Sequence, residues 1–544
     1  MSAQAGEARA AVDVATQPLA RPAAVMAVGT TLSRVTGLGR VMALAFALGV
    51  AESRLADAYN IANTVPLVLY ELVLGGILTS IFIPVLVGEL RTRTPEEARR
   101  SVSALVTASM AALLAMTVLI VVAAPWIIDL FSSRVPGPEG ERQHALATFF
   151  LRAFAPQVAL FGAAAVAAAL LNAHGRFAPP AFAPVVNNLI LISTFLVFAG
   201  VTAGHPTEAT VEDDLKLKLL LGAGATAAVA AMAAVNWAYV RGLGLRVGAR
   251  LDLRHPAVRK VARLSLWTLF YVSVNTAGTA VSFYLANGRQ GGPTAYVMAF
   301  AFFQLPIGIA AVSIMTALVP KLSAHFVDGD AGSFRARLAG GLRAVTLLMA
   351  PATAAYLVLA VPLVHVLLAH GVVRGASVDL VAAVLRMFAV GLVPFACFLL
   401  LSRAFYARQD NRTPALYNVL GVGVTVALDF ALFPVLGVPG LALAHSAGFA
   451  VGSVVLGVLV ARRVGGLERG GTALEMAKAA LAAVAAAAAM LAAANAVASV
   501  LGPGDLRSLT QLAAAGTAGL AVFVVVARGL RARELDAFRR LLPG

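Results

Sequence analysis

Stretches of 20 or more predominantly apolar residues recur along this chain, and nothing else in it constrains the fold as tightly. About 20 such residues in a helix cross a bilayer core, and only helices or closed barrels satisfy their own backbone in lipid. On that criterion the candidate spans are 23–49, 55–88, 102–129, 145–172, 179–202, 218–240, 261–286, 293–320, 338–368, 378–407, 412–436, 439–461, 473–501 and 508–530. Composition agrees: 60% of the 544 residues are apolar and 12% charged, against roughly 25% charged in a soluble domain. With a mean hydropathy of +0.86, too little polar surface remains to coat a water-soluble globule. The expected fold class is an all-α polytopic membrane protein of about 14 transmembrane helices. A soluble enzyme, a disordered tail protein and a fibrous repeat are excluded. The single cysteine, Cys397, rules out an internal disulfide.

The formal charge of +16 resembles the footprint of a nucleic-acid binder, but its distribution points elsewhere. With the N-terminus in the cytosol, basic runs such as Arg91, Arg93, Arg99 and Arg100, and those from Arg241 through Arg263, fall on inner loops. The inner side then collects about 30 of the 42 basic residues and the outer loops about eight. The longest outer segment, after the fifth span, carries Glu208, Glu212, Asp213 and Asp214. The excess is topological, so no nucleic-acid partner is expected. Residues 1–22 hold Glu7, Arg9, Asp13 and Arg21 without an apolar core and read as a cytosolic tail, not a signal peptide. An even number of spans places both termini in the cytosol.

Two patterns recur at one offset. IFIPVL around Pro84 matches ALVPKL around Pro320, and LNAHGRFAPP around Arg176 matches FYARQDNRTP around Arg412, each 236 residues later. Both pairs fall at equivalent points of a six-helix block, which predicts a duplication whose two halves share one orientation and enclose a substrate path. The expected organisation is a tail (1–22), an N-lobe (23–240), a basic linker (241–260), a C-lobe (261–465), an appended helix pair (473–530) and a C-terminal tail (531–544).

Ionisable residues inside spans are costly and mark cavities or partners. Arg152 and Arg386 lie near span ends, where snorkelling explains them. Arg34 and Arg40 lie deep in the first span, in SRVTGLGR. Six residues of ideal helix separate their directions by about 120°, so Gly37 and Gly39 are expected to bend the helix and turn both toward one cavity. The alternative is a structural pairing of each with a neighbouring acid. In the second span Asp57, Asn60, Thr64 and Glu71 share one helical face, with Pro66 expected to kink it. In the eleventh, Thr425 and Asp429 form an oxygen-rich pair suited to Na⁺ or a proton, or Asp429 caps a helix broken before Pro434. His445 reads as a hydrogen-bonded helix contact rather than a metal ligand. No phosphate-binding loop, HExxH or metal-spaced acidic pair occurs in the sequence, so neither an enzyme nor a self-powered ATPase is expected.

At SRVTGLGR, LADAYNIANTVP, IFIPVL, LLNAHGRFAPPAFAPVVNN and FYARQDNRTP the chain resembles the MurJ/MviN family of lipid II flippases, from about residue 25 to 465. The resemblance implies two six-helix lobes around a cationic cavity, with the last two helices forming a groove for the lipid tail. It implies a multi-pass protein of the bacterial cytoplasmic membrane that moves lipid II, an undecaprenyl-pyrophosphate-linked peptidoglycan precursor, by alternating access. Membrane lipids and cell-wall synthesis proteins are the other partners it implies. Arg34 and Arg40 match the family's helix-one cavity arginines and Asp57 its helix-two aspartate; Asn60, Thr64 and Glu71 complete the candidate cavity set.

Three departures from the family pattern involve four positions. Val41 replaces an Asp, Tyr70 and Glu71 replace paired arginines, and Ala301 stands where many members carry a helix-eight arginine. Some members bind Na⁺ between helices seven, eleven and twelve, where this chain has Ser282, Thr425 and Asp429, with Leu441 and His445, and lacks the helix-seven acid. No resident cofactor is expected, and coupling falls to Na⁺, H⁺ or the membrane potential. The competing readings are an exporter of another lipid-linked oligosaccharide, a non-transporting scaffold of the cell-wall machinery, and a membrane-embedded transferase.

Overall fold

In lipid an apolar run has no hydrogen-bond partner except its own backbone, so each run closes into a helix. The computed structural model describes residues 20–70, 94–204, 206–243, 248, 252, 254–467 and 469–535. In chain order the helices are α1 (Ala20–Leu48), α2 (Leu55–Tyr70), α3 (Pro95–Ser132), α4 (Pro138–Phe154 and Pro156–Ala173), α5 (Ala178–Val201), α6 (Leu215–Arg241) and α7 (Pro256–Ala286). They continue with α8 (Gly292–Pro306, a π-turn Ile307–Ala311, and Val312–Val327), α9 (Ala331–Leu368), α10 (Gly375–Val390 and Leu392–Ala407), α11 (Arg412–Leu436), α12 (Val438–Val464), α13 (Arg469–Val500) and α14 (Asp505–Gly529). A short helix, Glu208–Asp213, lies between α5 and α6, and no strand occurs among the described residues. Among the described residues 12 helices are long and apolar enough to cross a membrane, and the two parts of α10, bent by 48°, make a thirteenth if taken as one span. The remainder of the second span, with Glu71 and Pro84, lies outside the described residues.

The duplication is visible in the packing. Within the first six helices α1 packs on α5, α5 on α6, α4 on α6, and both α2 and α3 on α4; the same five neighbour relations recur among α7 to α12. The breaks recur as well. Helix α4 is interrupted at Ala155, before Pro156, which has no N–H to continue the ladder. Helix α10 is interrupted at Gly391, 236 residues later, where Ser446 of α12 packs so closely that a Cβ would collide with it. Tyr59 of α2 sits edge-on against Phe154 of α4 at 5.2 Å, and Tyr296 of α8 edge-on against Phe388 of α10 at 5.0 Å. Outside this repeat, α13 and α14 pair with each other and lie along α9. Leu347 and Ala350 of α9 bury against Ala482, Ala486 and Phe523, and Arg343 bonds Glu534 at 2.6 Å.

One of the strings that carried the repeat, FYARQDNRTP, has structural work at the end where α1 begins, here the near end. Asp410 accepts from the N–H and hydroxyl of Thr413 at 2.9 and 2.6 Å, capping α11, and is paired with Arg463 of α12. Arg408 stacks over Phe326 of α8 and Phe334 of α9. One loop therefore clamps five helix ends. Arg152 and Arg386, expected to snorkel, each donate to a carbonyl of the neighbouring helix, Val121 of α3 and Leu357 of α9.

Candidate functional site

Helix α1 runs unbroken through Gly37 and Gly39, and of its two arginines only Arg40 lines a small cavity shared with α2 and α8. The glycines allow close approach of α5: Gly29 faces Ala181, Gly37 faces Asn188 and Gly39 faces Ile192. Both numbers rise together, so the helices run parallel. Asn188 Nδ2 donates to the Ser33 carbonyl and to Thr36 Oγ1, each at 3.1 Å, fixing α1 on either side of Arg34. Six residues apart on α1, the two arginines reach different levels of one seam. Arg40 enters a cavity of about 60 Å³ that it shares with Tyr59, Asn60 and Asn63 of α2 and with Val297 and Met298 of α8. That space suits a few water molecules and nothing bulkier. Arg34, exposed, lays its guanidinium against Gly308 in the π-turn of α8. Neither arginine has a carboxylate partner among the described residues.

The second-span residues divide between two tasks. Asn60 joins Arg40, while Asp57, with no exposed surface, reaches across to α8. It accepts from the Gly291 N–H at 2.7 Å and from the Thr294 N–H and hydroxyl at 3.1 and 2.7 Å. Gly291 has a φ of 76°, a left-handed turn that suits glycine. The Asp57 carboxylate thereby caps the first turn of α8, whose backbone N–H groups have no partner within the helix. Asn60 donates to the same Thr294 hydroxyl at 3.2 Å. Thr64 bonds back to the Asn60 carbonyl at 2.8 Å and lines a separate apolar cavity of about 200 Å³ with Phe131 and Phe283. Pro66 lies within α2. Glu71 and the Tyr70 side chain lie outside what is described. Ala301 packs half-buried against the apolar core, and Val41 is buried.

Asp57 belongs to a wider interlock at the far end of the bundle. Glu52, in the α1–α2 corner, accepts from the N–H groups of Val50 and Ala51 at 2.6 and 3.1 Å. Its other oxygen takes the Arg374 N–H and Ser377 hydroxyl at 2.6 and 2.7 Å, at the start of α10. Asn287, after α7, receives Gln143 Nε2 at 2.7 Å and donates to the Phe131 carbonyl at 2.9 Å, and its own carbonyl receives Arg54. The two six-helix halves are thus sewn together at the far end. Glu52, Asn63, Gln143, Asn287 and Thr294 were missed by sequence reading. Only Asn63 left a signal, one turn after Asn60.

Ser282 donates to Asp429 at 2.7 Å, while the second Asp429 oxygen has no hydrogen bond among the described residues. Thr425 lies one turn away but donates to the Gly421 carbonyl at 3.1 Å. Helix α11 passes Pro434 unbroken, so Asp429 caps nothing. Among the described residues no group of three or more His, Cys, Asp or Glu is arranged to hold a metal ion. His445 differs from expectation: its Nε2 has no hydrogen bond among the described residues, and its ring packs among Phe300, Phe388, Phe395 and Phe449.

Residues 44–507 match the family model described as lipid II flippase MurJ. A probable lipid II flippase MurJ of Rhizobium meliloti is 28% identical over 418 residues, 77% of this chain and 76% of the relative. The lipid II flippase MurJ of Burkholderia cenocepacia is 29% identical over 429 residues, 78% of this chain and 81% of the relative. Among solved structures, a lipid II flippase MurJ in an inward closed conformation superposes with a TM-score of 0.73 at 20% identity, covering 93% of this chain and 99% of that one.

Proposed function

This chain belongs to the lipid II flippase MurJ family, and from that premise we propose that it moves lipid II from the inner to the outer leaflet of the bacterial cytoplasmic membrane by alternating access. In this reading the halves 23–240 and 261–465 are the rocking lobes, 241–260 their basic linker, and residues 473–530 the groove for the lipid tail. Residues 1–22 and 531–544 are cytosolic tails. The near end, where basic residues concentrate, faces the cytosol, and the far end faces outward.

One observation carries the reading. Arg34 and Arg40 stand on α1 at the α8 seam, at membrane depth, without a carboxylate among the described residues to neutralise them. Such charges cost kilocalories to keep in a membrane and mark a transport path. Guanidinium forks match the oxygens of a pyrophosphate bidentately. Asn60 supports Arg40, and Asp57 serves the exchange of states by holding the outer end shut. Thr64 and, outside the described residues, Glu71 complete the candidate set. Coupling to Na⁺, H⁺ or the membrane potential is assigned to Asp429 with Ser282 and Thr425; a transport rate in liposomes indifferent to Asp429→Asn would remove that assignment.

The deciding experiment is leaflet accounting. Depletion of the protein should trap lipid II on the inner leaflet, and the purified chain should flip it in liposomes. Normal outer-leaflet exposure in a depleted strain with no second flippase would sink the reading. Replacement of a host's lipid II flippase by this chain separates it from export of another lipid-linked oligosaccharide and from a scaffold, since only a lipid II flippase rescues growth.

A further inference from the structure

We propose that Gly308, in the π-turn of α8, is a positioning residue for Arg34: its missing side chain leaves a backbone berth that holds the guanidinium ready for a phosphate-bearing anion. A Cβ built on Gly308 would stand 3.0 Å from Arg34 Cζ and Nε and 3.2 Å from Nη2. Three guanidinium atoms therefore lie against this one residue. The berth has a local cause. Pro306 has no N–H to donate, and the following turn widens so that the Val312 N–H bonds the Ile307 carbonyl, five residues back. Such π-bulges within helices gather at functional sites.

Arg34 is fixed at both ends. Its backbone is flanked by the Asn188 bonds to Ser33 and Thr36, which tie α1 to α5. Its head rests on α8, in the other half of the molecule, while the side chain stays exposed. An arginine held this way surrenders little rotamer freedom when an anion arrives. The berth also exists only while α1 and α8 touch. When the seam parts, Arg34 loses its support and its grip on the anion loosens, which favours release.

That the anion is the pyrophosphate of lipid II rests on the flippase reading. The test uses the full-length chain in nanodiscs, with lipid II binding measured for the parent, Gly308→Ala, Gly308→Val, Arg34→Ala and the double variant Gly308→Ala/Arg34→Ala. Gly308→Ala should weaken binding about threefold and Gly308→Val about tenfold, the range expected for freeing one long side chain. In the Arg34→Ala background Gly308→Ala should change nothing further, because the residue it acts through is gone. Thermal unfolding of each variant separates loss of the berth from loss of the fold. Additive losses in the double variant, or parental affinity in Gly308→Val, overturn the proposal. If the parent itself does not bind lipid II, the flippase reading fails. The same variants titrated with inorganic pyrophosphate then decide the berth by the same non-additivity.

Discussion

Asp57 takes both the backbone N–H and the hydroxyl of Thr294, at 3.1 and 2.7 Å, so a carboxylate from α2 seals the first turn of α8 in the opposite half of the molecule. Replacing a capping side chain by alanine costs about 1–2 kcal/mol, and here the loss also strands buried N–H groups. Asp57→Ala should therefore loosen the far end more than it harms the fold. With Cys397 replaced by serine and a cysteine placed at Ala295, buried in the first turn of α8, labelling by an impermeant thiol reagent should rise in Asp57→Ala. Unchanged labelling would show that Asp57 does not hold this end closed.

Arg34→Ala and Arg40→Ala should each fail to support growth when supplied as the sole lipid II flippase. Arg40→Lys should fail as well, because an ammonium cannot reproduce the bidentate fork. Normal growth on both alanine variants removes these arginines from the transport site.

The Asp410 clamp should make stability depend on pH. Burial alone would raise its carboxyl, but the Thr413 hydroxyl and N–H and the Arg463 guanidinium outweigh it and hold the group below the usual carboxylate range. A group lowered on folding stabilises above its unfolded value, about 3.9, and loses that contribution as pH falls through the folded value. Asp410→Asn should cost about 1 kcal/mol near pH 7, with the gap narrowing toward pH 3. Equal destabilisation at both pH values in thermal unfolding would rule out the charge as the cause.

Gly448→Ala should destabilise the α11–α12 contact by roughly 1–3 kcal/mol. A Cβ there collides with Thr425 Oγ1 and with the Gly421 carbonyl oxygen. Thr425→Ala relieves only the first collision, so it should not restore the parental Tm; full rescue would place the strain in the side chain alone.

The helices themselves were legible because lipid imposes a local rule. Each run of apolar residues must satisfy its own backbone, so the span pattern and even the 236-residue repeat could be read along the chain. Residue types suited to the site were legible too: Arg34 and Arg40 stand out because charge at that depth needs a reason. The packing role of Gly37 and Gly39 was not legible, because a glycine in a helix serves bending and close packing alike, and only the fold shows that α5 is what these glycines meet. Glu52 and Asn287 gave no warning, being ordinary loop residues until a partner helix arrives.

What the sequence determined by itself was the pattern of apolar spans, their shared solvent and the costly charges among them, all properties summed over neighbouring residues. Tertiary structure alone decided that Asp57 caps α8, that Arg40 and Asn60 line one cavity and that Arg34 rests on Gly308. Asp57 and Gly291 are 234 positions apart, and a hydrogen bond or a missing Cβ acts only at contact distance. Which faces reach that distance is set by how the two halves pack, which no local sum records.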